Sequence, residues 1–265
     1  MSAYRPKRTM DRPLYRAAAR YRRTMANRFC RREVLLDLPV PIVSFTFDDA
    51  PKSAFAAGGE ILAAHGAHAT FFVCLSLLGQ VGDSGQLATQ DDLLRAVENG
   101  HELGCHTFDH LDAWTTPPAI FLASIDRNEA ALRAAVPSAS FQTFAYPKSG
   151  PTLAVKRRLN YRFACCRGGG QAANTDIADM NLLKACFLDR RTGIDIAFAE
   201  SLIRYNASRR GWLVFATHDV SDSPSPYGCS RQFLGDVVDM CARSGALLLP
   251  LARACDQVSH RSAPI

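Results

Sequence analysis

Two acids close an apolar stretch: Ser44-Phe45-Thr46-Phe47 runs straight into Asp48 and Asp49, with Ala50-Pro51 behind them. A carboxylate at the end of an apolar strand must be solvated, paired or bound to a cation. On a regular strand the two side chains diverge, but a turn before Pro51 can bring both into one site, one as ligand and one as base. The plain alternative is a solvated strand end or a helix cap. A second segment, His101-Glu102-Leu103-Gly104-Cys105-His106-Thr107-Phe108-Asp109-His110, places two histidines four residues apart. At that spacing His106 and His110 can meet on one side of a helical turn and chelate a divalent ion. Cys105 reads as core, since a fourth protein ligand would close a site that catalysis needs open. A third segment, Leu213-Val214-Phe215-Ala216-Thr217-His218-Asp219, again delivers an ionisable residue at the end of an apolar run. Alone, His218 reads equally well as a buried, hydrogen-bonded histidine.

The elements that must carry these residues alternate along the chain. Pro41–Phe47, Ala69–Cys74, His101–His106, Phe141–Tyr146, Tyr161–Cys166, Trp212–Thr217 and Ala246–Leu249 read as strands. Ser53–His65, Asp91–Asn99, Pro118–Ala135, Ile194–Ser208 and Ser230–Arg243 read as helices, and residues 181–188 are ambiguous. Strands separated by helices at this spacing indicate a parallel α/β arrangement. In a parallel barrel the active site lies at the rim formed by the strand ends, which is where the three segments fall. No repeat or linker follows residue 40, so the expected division is an N-terminal extension, residues 1–35, and one domain, residues 36–265.

Taken together, the segments resemble the NodB-type polysaccharide deacetylases, carbohydrate esterase family 4, over roughly residues 40–252. Thr46-Phe47-Asp48-Asp49 matches that family's first motif, His106-Thr107-Phe108-Asp109-His110 its H-[ST]-x-x-H motif, and Leu213–His218 its late strand ending in histidine. The resemblance implies a distorted parallel (β/α) barrel of the NodB-homology type. It implies that Asp49, His106 and His110 hold one divalent metal ion; the donor set suits zinc, and also cobalt or nickel. Asp48 is then the general base and His218 the general acid, with Tyr146, Pro147 and Lys148 at the substrate and oxyanion position. The implied activity is hydrolysis of a non-peptide carbon–nitrogen bond, removing N-acetyl groups from N-acetylglucosamine-containing glycans such as chitooligosaccharides. The alternatives are an O-acetyl esterase, a deformylase on a related sugar, or a catalytically silent carbohydrate-binding module.

The sequence departs from the family pattern in two places. The third motif, often R-x-P-[FY], is replaced by Phe144-Ala145-Tyr146-Pro147-Lys148-Ser149-Gly150, which has no arginine to position the base. Lys148 or Lys184 is the expected substitute. No Asp is recognisable as the partner of the acid histidine; Asp176, Asp179 and Asp219 are the candidates. Gly168-Gly169-Gly170 lacks the Lys and Ser/Thr of a phosphate loop and reads as a flexible turn near the groove.

Charge and cysteines narrow the setting. The 31 Lys/Arg and 25 Asp/Glu give a net charge of +6. Residues 1–32 hold eleven of the basic residues and only one acid, Asp11, so the remainder is about −4. A basic groove for nucleic acid is therefore not expected. The nine cysteines, odd in number and without a CxxC pair, read as reduced, buried thiols. No apolar run reaches the length of a membrane span, and no secretory signal pattern is seen. The expectation is a cytoplasmic protein, peripheral at the inner face of the membrane if its N-terminal helix binds there. Its expected partner is an acetylated amino-sugar oligosaccharide or a lipid-linked glycan. In that helix Met10, Leu14, Ala18, Tyr21, Met25 and Phe29 recur every three or four residues, with Arg12, Arg16, Arg20 and Arg23 on other faces. Such a stripe either lies on an anionic membrane surface or packs against the domain and leaves its arginines in water.

Overall fold

The structure, a computed structural model, describes residues 12–148 and 150–259. Helix α1 (Arg12–Arg28) leads through strand β1 (Glu33–Leu36) to β2 (Ile42–Phe47). A π-helical turn (Ala54–Gly58) runs into α2 (Gly59–Ala63), followed by β3 (Thr70–Val73), a hairpin of β4 (Val81–Gly82) and β5 (Gly85–Gln86), and α3 (Gln90–Glu98). Then come β6 (Glu102–Cys105), α4 (Pro118–Ala135), β7 (Thr143–Ala145), α5 (Leu153–Leu159), β8 (Cys165–Arg167) and β9 (Asp176–Asp179). The chain ends with β10 (Cys186–Phe187), α6 (Ile196–Arg209), β11 (Trp212–Thr217), α7 (Arg231–Arg243), β12 (Leu247–Leu248) and α8 (Leu251–Ser259).

Seven strands pair in parallel in the order β10-β11-β2-β3-β6-β7-β8. The sheet curls into a barrel that a single parallel bridge, Arg167 to Leu183, joins at its seam. β12 pairs Ile42 and Val43 at the start of β2, while β3 pairs Thr46 and Phe47 at its end. The short strand thus fills the gap where β2 and β3 diverge.

Because side chains alternate along a strand, the buried runs divide into two layers. Val43, Phe45, Phe47, Leu213 and Phe215 pack outward with Leu62, Leu234, Val237 and Val238 of the helices. Ile42, Phe72, Trp212, Val214 and Ala216 fill the other cluster with Leu251 and Cys255 of α8. Each fully buried Val, Leu or Phe contributes roughly 1.5–3 kcal/mol. Burial on both faces explains why these strands read as continuous apolar runs. Among the polar groups inside, the Trp212 indole N–H donates to Ser44 Oγ at 2.9 Å.

Helix α1 differs from the expected stripe. Ala19 and Ala26 are its buried residues, whereas Ala18, Tyr21 and Phe29 are exposed. Met10 and the Leu14 side chain lie outside the described residues. What holds the helix is a buried cation: Lys156 Nζ of α5 donates to the Ala26 and Phe29 carbonyls, at 2.6 and 3.1 Å, and to Asp179 Oδ2 at 2.6 Å. A cation at a helix C-terminus meets the negative end of its dipole, and the three acceptors offset the cost of burying the ammonium. No helix among the described residues is long and apolar enough to cross a membrane.

Candidate active site

Strand alternation delivers four side chains to one mouth of the barrel. Asp48 follows the parity of Ile42, Ser44 and Thr46; His218 that of Trp212, Val214 and Ala216; Arg167 that of Cys165; and His106 that of Glu102 and Gly104. Asp49 has the wrong parity. Its backbone, and that of Ala50, adopts the left-handed conformation (φ 60° and 52°), which turns its carboxylate back toward the mouth. For non-glycine residues this conformation costs roughly 1–2 kcal/mol each, and such strain gathers at functional sites.

His106 and His110 do meet, though not on a helical turn as the spacing predicts. The segment is a loop in which Thr107 and His110 also have positive φ (61° and 51°). Ser124 of α4 pins it by accepting from the N–H groups of Phe108 and Asp109 at 3.0 and 3.2 Å. His106 Nε2 and His110 Nε2 lie 3.6 and 3.2 Å from Asp49 Oδ1, and His218 Nε2 is 3.9 Å from Asp49 Oδ2.

This trio suits a metal ion. His106 Nδ1–H donates to the Ala145 carbonyl at 2.9 Å, which leaves the Nε2 lone pair directed at Asp49. Burial pushes the His106 imidazole down to about 4 against the pull of Asp48, and burial likewise lowers His110. Both rings are then neutral near pH 7. Asp49 Oδ1 is buried and has no hydrogen-bond donor among the described residues. An acceptor carboxylate facing two neutral acceptor nitrogens lacks a positive charge between them, and the three ligand atoms lie within 4.8 Å of one another.

Asp48 has found a different partner from the expected one. Arg167 Nη2 donates to Asp48 Oδ1, and both residues are buried. Burial alone would raise the Asp48 carboxyl, but Arg167, with His106 and His218, brings it below the usual carboxylate range. The guanidinium also lies 4.9 Å from the Phe72 ring centroid and 5.3 Å from that of Phe187. Neither Lys148 nor Lys184 fills this role, for both are exposed and neither pairs with Asp48. The expected strand ended at Cys166, one residue short. An arginine closing an apolar run of the right parity was the signal that could have found it.

The remaining candidates divide. His218 Nδ1–H donates to the Tyr227 carbonyl at 3.1 Å. Asp176 pairs with Arg209, Asp179 with Lys156, and Asp219 with Ser225, so none of these acids orients His218. Tyr146 has the outward parity of Phe144 and packs edge-on against it; its hydroxyl donates to the Asn181 carbonyl at 3.3 Å, and burial pushes the phenol up. Pro147 is buried behind it, while Lys148 stands exposed at the mouth with φ 57°. A cavity of about 1150 Å³ gathers Asp48, Asp49, His106, His110, Arg167 and His218, together with Tyr146, Lys148 and Gly168–Gly170.

Residues 37–164 match the family model described as polysaccharide deacetylase. A probable peptidoglycan-N-acetylglucosamine deacetylase of Arthroderma benhamiae is 37% identical over 73 residues; that stretch is 28% of this chain and 16% of the fungal protein. Among solved structures, the peptidoglycan deacetylase PdaC of Bacillus subtilis is 14% identical with a TM-score of 0.56, over 85% of this chain and 95% of that one. The family 4 acetyl xylan esterase of Clostridium thermocellum, solved with a cobalt ion, is 21% identical with a TM-score of 0.57, over 84% of this chain and 93% of that one. These structures share the fold of this chain. The two motifs, the family model matched over residues 37–164 and the shared fold support a NodB-type protein of carbohydrate esterase family 4.

Proposed function

We propose that the chain is a metal-dependent hydrolase that removes N-acetyl groups from N-acetylglucosamine-containing oligo- or polysaccharides. The observation that carries this reading is Asp49 Oδ1, buried without a donor between two neutral imidazoles, beside an Asp48 held by Arg167. Asp49, His106 and His110 would hold one divalent ion, zinc first, with cobalt and nickel also suited to the donor set. The chemistry such an ion supplies is polarisation of the acetyl carbonyl and acidification of the attacking water.

The protein's own groups do the rest. Asp48, kept ionised by Arg167, accepts a proton from the water as its oxygen attacks the acetamide carbon. The developing oxyanion would be met by the ion that Asp49, His106 and His110 would hold and by a backbone N–H at the Tyr146-Pro147-Lys148 segment, where Lys148 is the residue whose N–H is not already given to β8. The C–N bond breaks only as the nitrogen gains a proton, and His218 donates it once charged. Its Nδ1–H bond to the Tyr227 carbonyl fixes the ring with Nε2 toward the mouth. Acetate and a free amine leave. Residues 36–265 form the catalytic domain in this reading. The substrate is a soluble or lipid-linked acetylated glycan on the cytoplasmic side, where α1 could rest on the membrane surface.

The test is acetate release from chitotetraose, acetylated xylan and a formamido sugar, with metal content measured on the same sample. Chitotetraose turnover with about one divalent ion per chain is the expected result. Turnover of acetylated xylan alone would make the chain an O-acetyl esterase. Oligosaccharide binding without turnover of any of the three would make it a silent binding module.

A further inference from the structure

Helix α1 lies outside residues 37–164, yet it forms one wall of the cavity, contributing Arg23, Ala26 and Asn27. Its position there is determined by the rest of the fold. The buried Lys156 ammonium holds the Ala26 and Phe29 carbonyls and is itself paired with Asp179. Asn181 Nδ2 donates to the Cys30 carbonyl at 3.0 Å, and the carbonyl of the same residue accepts from the Tyr146 hydroxyl. Further along, the Arg22 and Arg23 guanidiniums stand 5.3 and 5.6 Å from the Trp114 ring centroid. The Trp114 indole N–H in turn donates to the Pro151 carbonyl at 3.4 Å, in the loop that carries Lys148. Trp114 therefore joins the Arg23 wall to the Lys148 loop.

Several charges lining the cavity are already committed. Asp48 is paired with Arg167 and Asp189 with Arg191, while Asp49 faces His106 and His110 in the candidate metal site. Arg23 and Lys148 have no carboxylate partner among the described residues, and Asp83, on the β4–β5 turn, is the other charged lining residue without one. Residues 33–265 are acidic overall, so the open Lys148 at the mouth is a local feature of the domain, and the basic helix α1 adds Arg23 to the same cavity. A neutral glycan offers an open guanidinium and ammonium only uncharged hydroxyl and carbonyl acceptors, whereas a carboxylate or phosphate would form the stronger, charge-assisted hydrogen bonds with both.

From this arrangement we infer that Arg23 and Lys148 form a cationic subsite for an anionic group, carboxylate or phosphate, on the part of the glycan next to the acetylated sugar. Helix α1 is then a specificity element of the enzyme. The inference deepens the deacetylase reading above and rests on it for the sugar beside the anion, but its test needs no turnover.

The test uses the full-length protein carrying Asp48→Asn. Binding is measured calorimetrically at low ionic strength, where such contacts are least screened, for three probes. Neutral chitotetraose is the reference, a hyaluronan tetrasaccharide carries carboxylates, and UDP-N-acetylglucosamine carries phosphates. One or both anionic probes are expected to bind about tenfold more tightly than chitotetraose, the strength of one or two charged hydrogen bonds. Arg23→Glu should abolish that preference and leave chitotetraose binding unchanged, and Arg23→Lys should restore most of it. Equal affinity for all three probes overturns the inference, as does an Arg23→Glu loss that is the same for neutral and anionic probes. Acetate release by the unmodified enzyme is followed separately. If chitotetraose is deacetylated and no anionic preference exists, the subsite fails and the deacetylase stands. If the preference exists and no acetylated sugar is turned over, the deacetylase reading fails and the anion subsite stands.

Discussion

The two ends of strand β6 carry buried polar groups in opposite conditions. At its start Glu102 accepts from Thr70 Oγ1 at 2.7 Å, from Thr143 Oγ1 at 2.5 Å and from the Ala252 N–H at 2.9 Å. No cation among the described residues balances it, and burial raises its carboxyl above the ordinary range despite those donors. Just past its other end, His106 points a free nitrogen at Asp49, whose Oδ1 has no donor among the described residues. Both ends lie inside the barrel, and both cost desolvation. One end is saturated with local hydrogen bonds and plugs the barrel. The other leaves valence open, and Asp48, a buried carboxylate with a buried counter-charge in Arg167, stands beside it. Chemistry sits where polar capacity is left unspent.

The largest effect that would break this contrast is at the open end. Asp48→Asn should lower acetate release by about 10²–10⁴-fold while the metal content, measured on the same protein, is kept. If the metal is lost as well, Asp48 is a ligand rather than the base. Arg167→Met should cost about 10–100-fold through loss of the group that orients Asp48, with Arg167→Lys intermediate; unchanged turnover in both would show that the pair is only structural. At the closed end, Glu102→Gln should leave turnover by the folded protein unchanged and lower stability by about 1–3 kcal/mol, read from urea midpoints. A turnover defect without a stability change there would erase the distinction between the ends.

The smallest effect sharpens it through pH. His101, beside Glu102, accepts the Ala69 N–H through Nδ1 at 3.0 Å, and burial, with His68 nearby, depresses its imidazole to about 4. The unfolded chain binds that proton near pH 6.5. Between about 6.5 and 4 the unfolded state therefore holds more protons, so this contribution is complete above pH 6.5 and is lost as pH falls toward 4. His101→Asn keeps an acceptor without a titrating ring. Its urea midpoint should fall less than that of the unmodified protein between pH 6.5 and 4.5; parallel curves would remove His101 from the account.

Much of this was legible before folding. The apolar pattern predicts Trp212–Thr217 and Pro118–Ala135 with their observed bounds, and the other long strands and helices within a few residues, because apolar periodicity is local and strong. The short helices Leu153–Leu159 and Leu251–Ser259 and the pairing of β1 with β9 leave no comparable pattern in the sequence. β1 alternates one buried residue with exposed ones at the surface, so it lacks the apolar run that marks a strand. The buried face of α1 lies one residue from the stripe that periodicity predicts, since Ala19 and Ala26 make a narrow seam that larger exposed residues such as Tyr21 and Phe29 outweigh in any pattern.

By itself the sequence determined the motif residues and their approach to a common rim: Asp48, His106 and His218 lie on strands whose alternation admits one inward face. Only the tertiary structure decided what those residues meet. Asp49 joined them through a left-handed turn, because parity alone would have pointed it outward. Arg167 reached Asp48 across the barrel, 119 residues away in sequence, and Lys156 brought α1 to the cavity wall from 130 residues away. Partners so distant are chosen by strand order and barrel curvature, and single-chain periodicity carries no record of either.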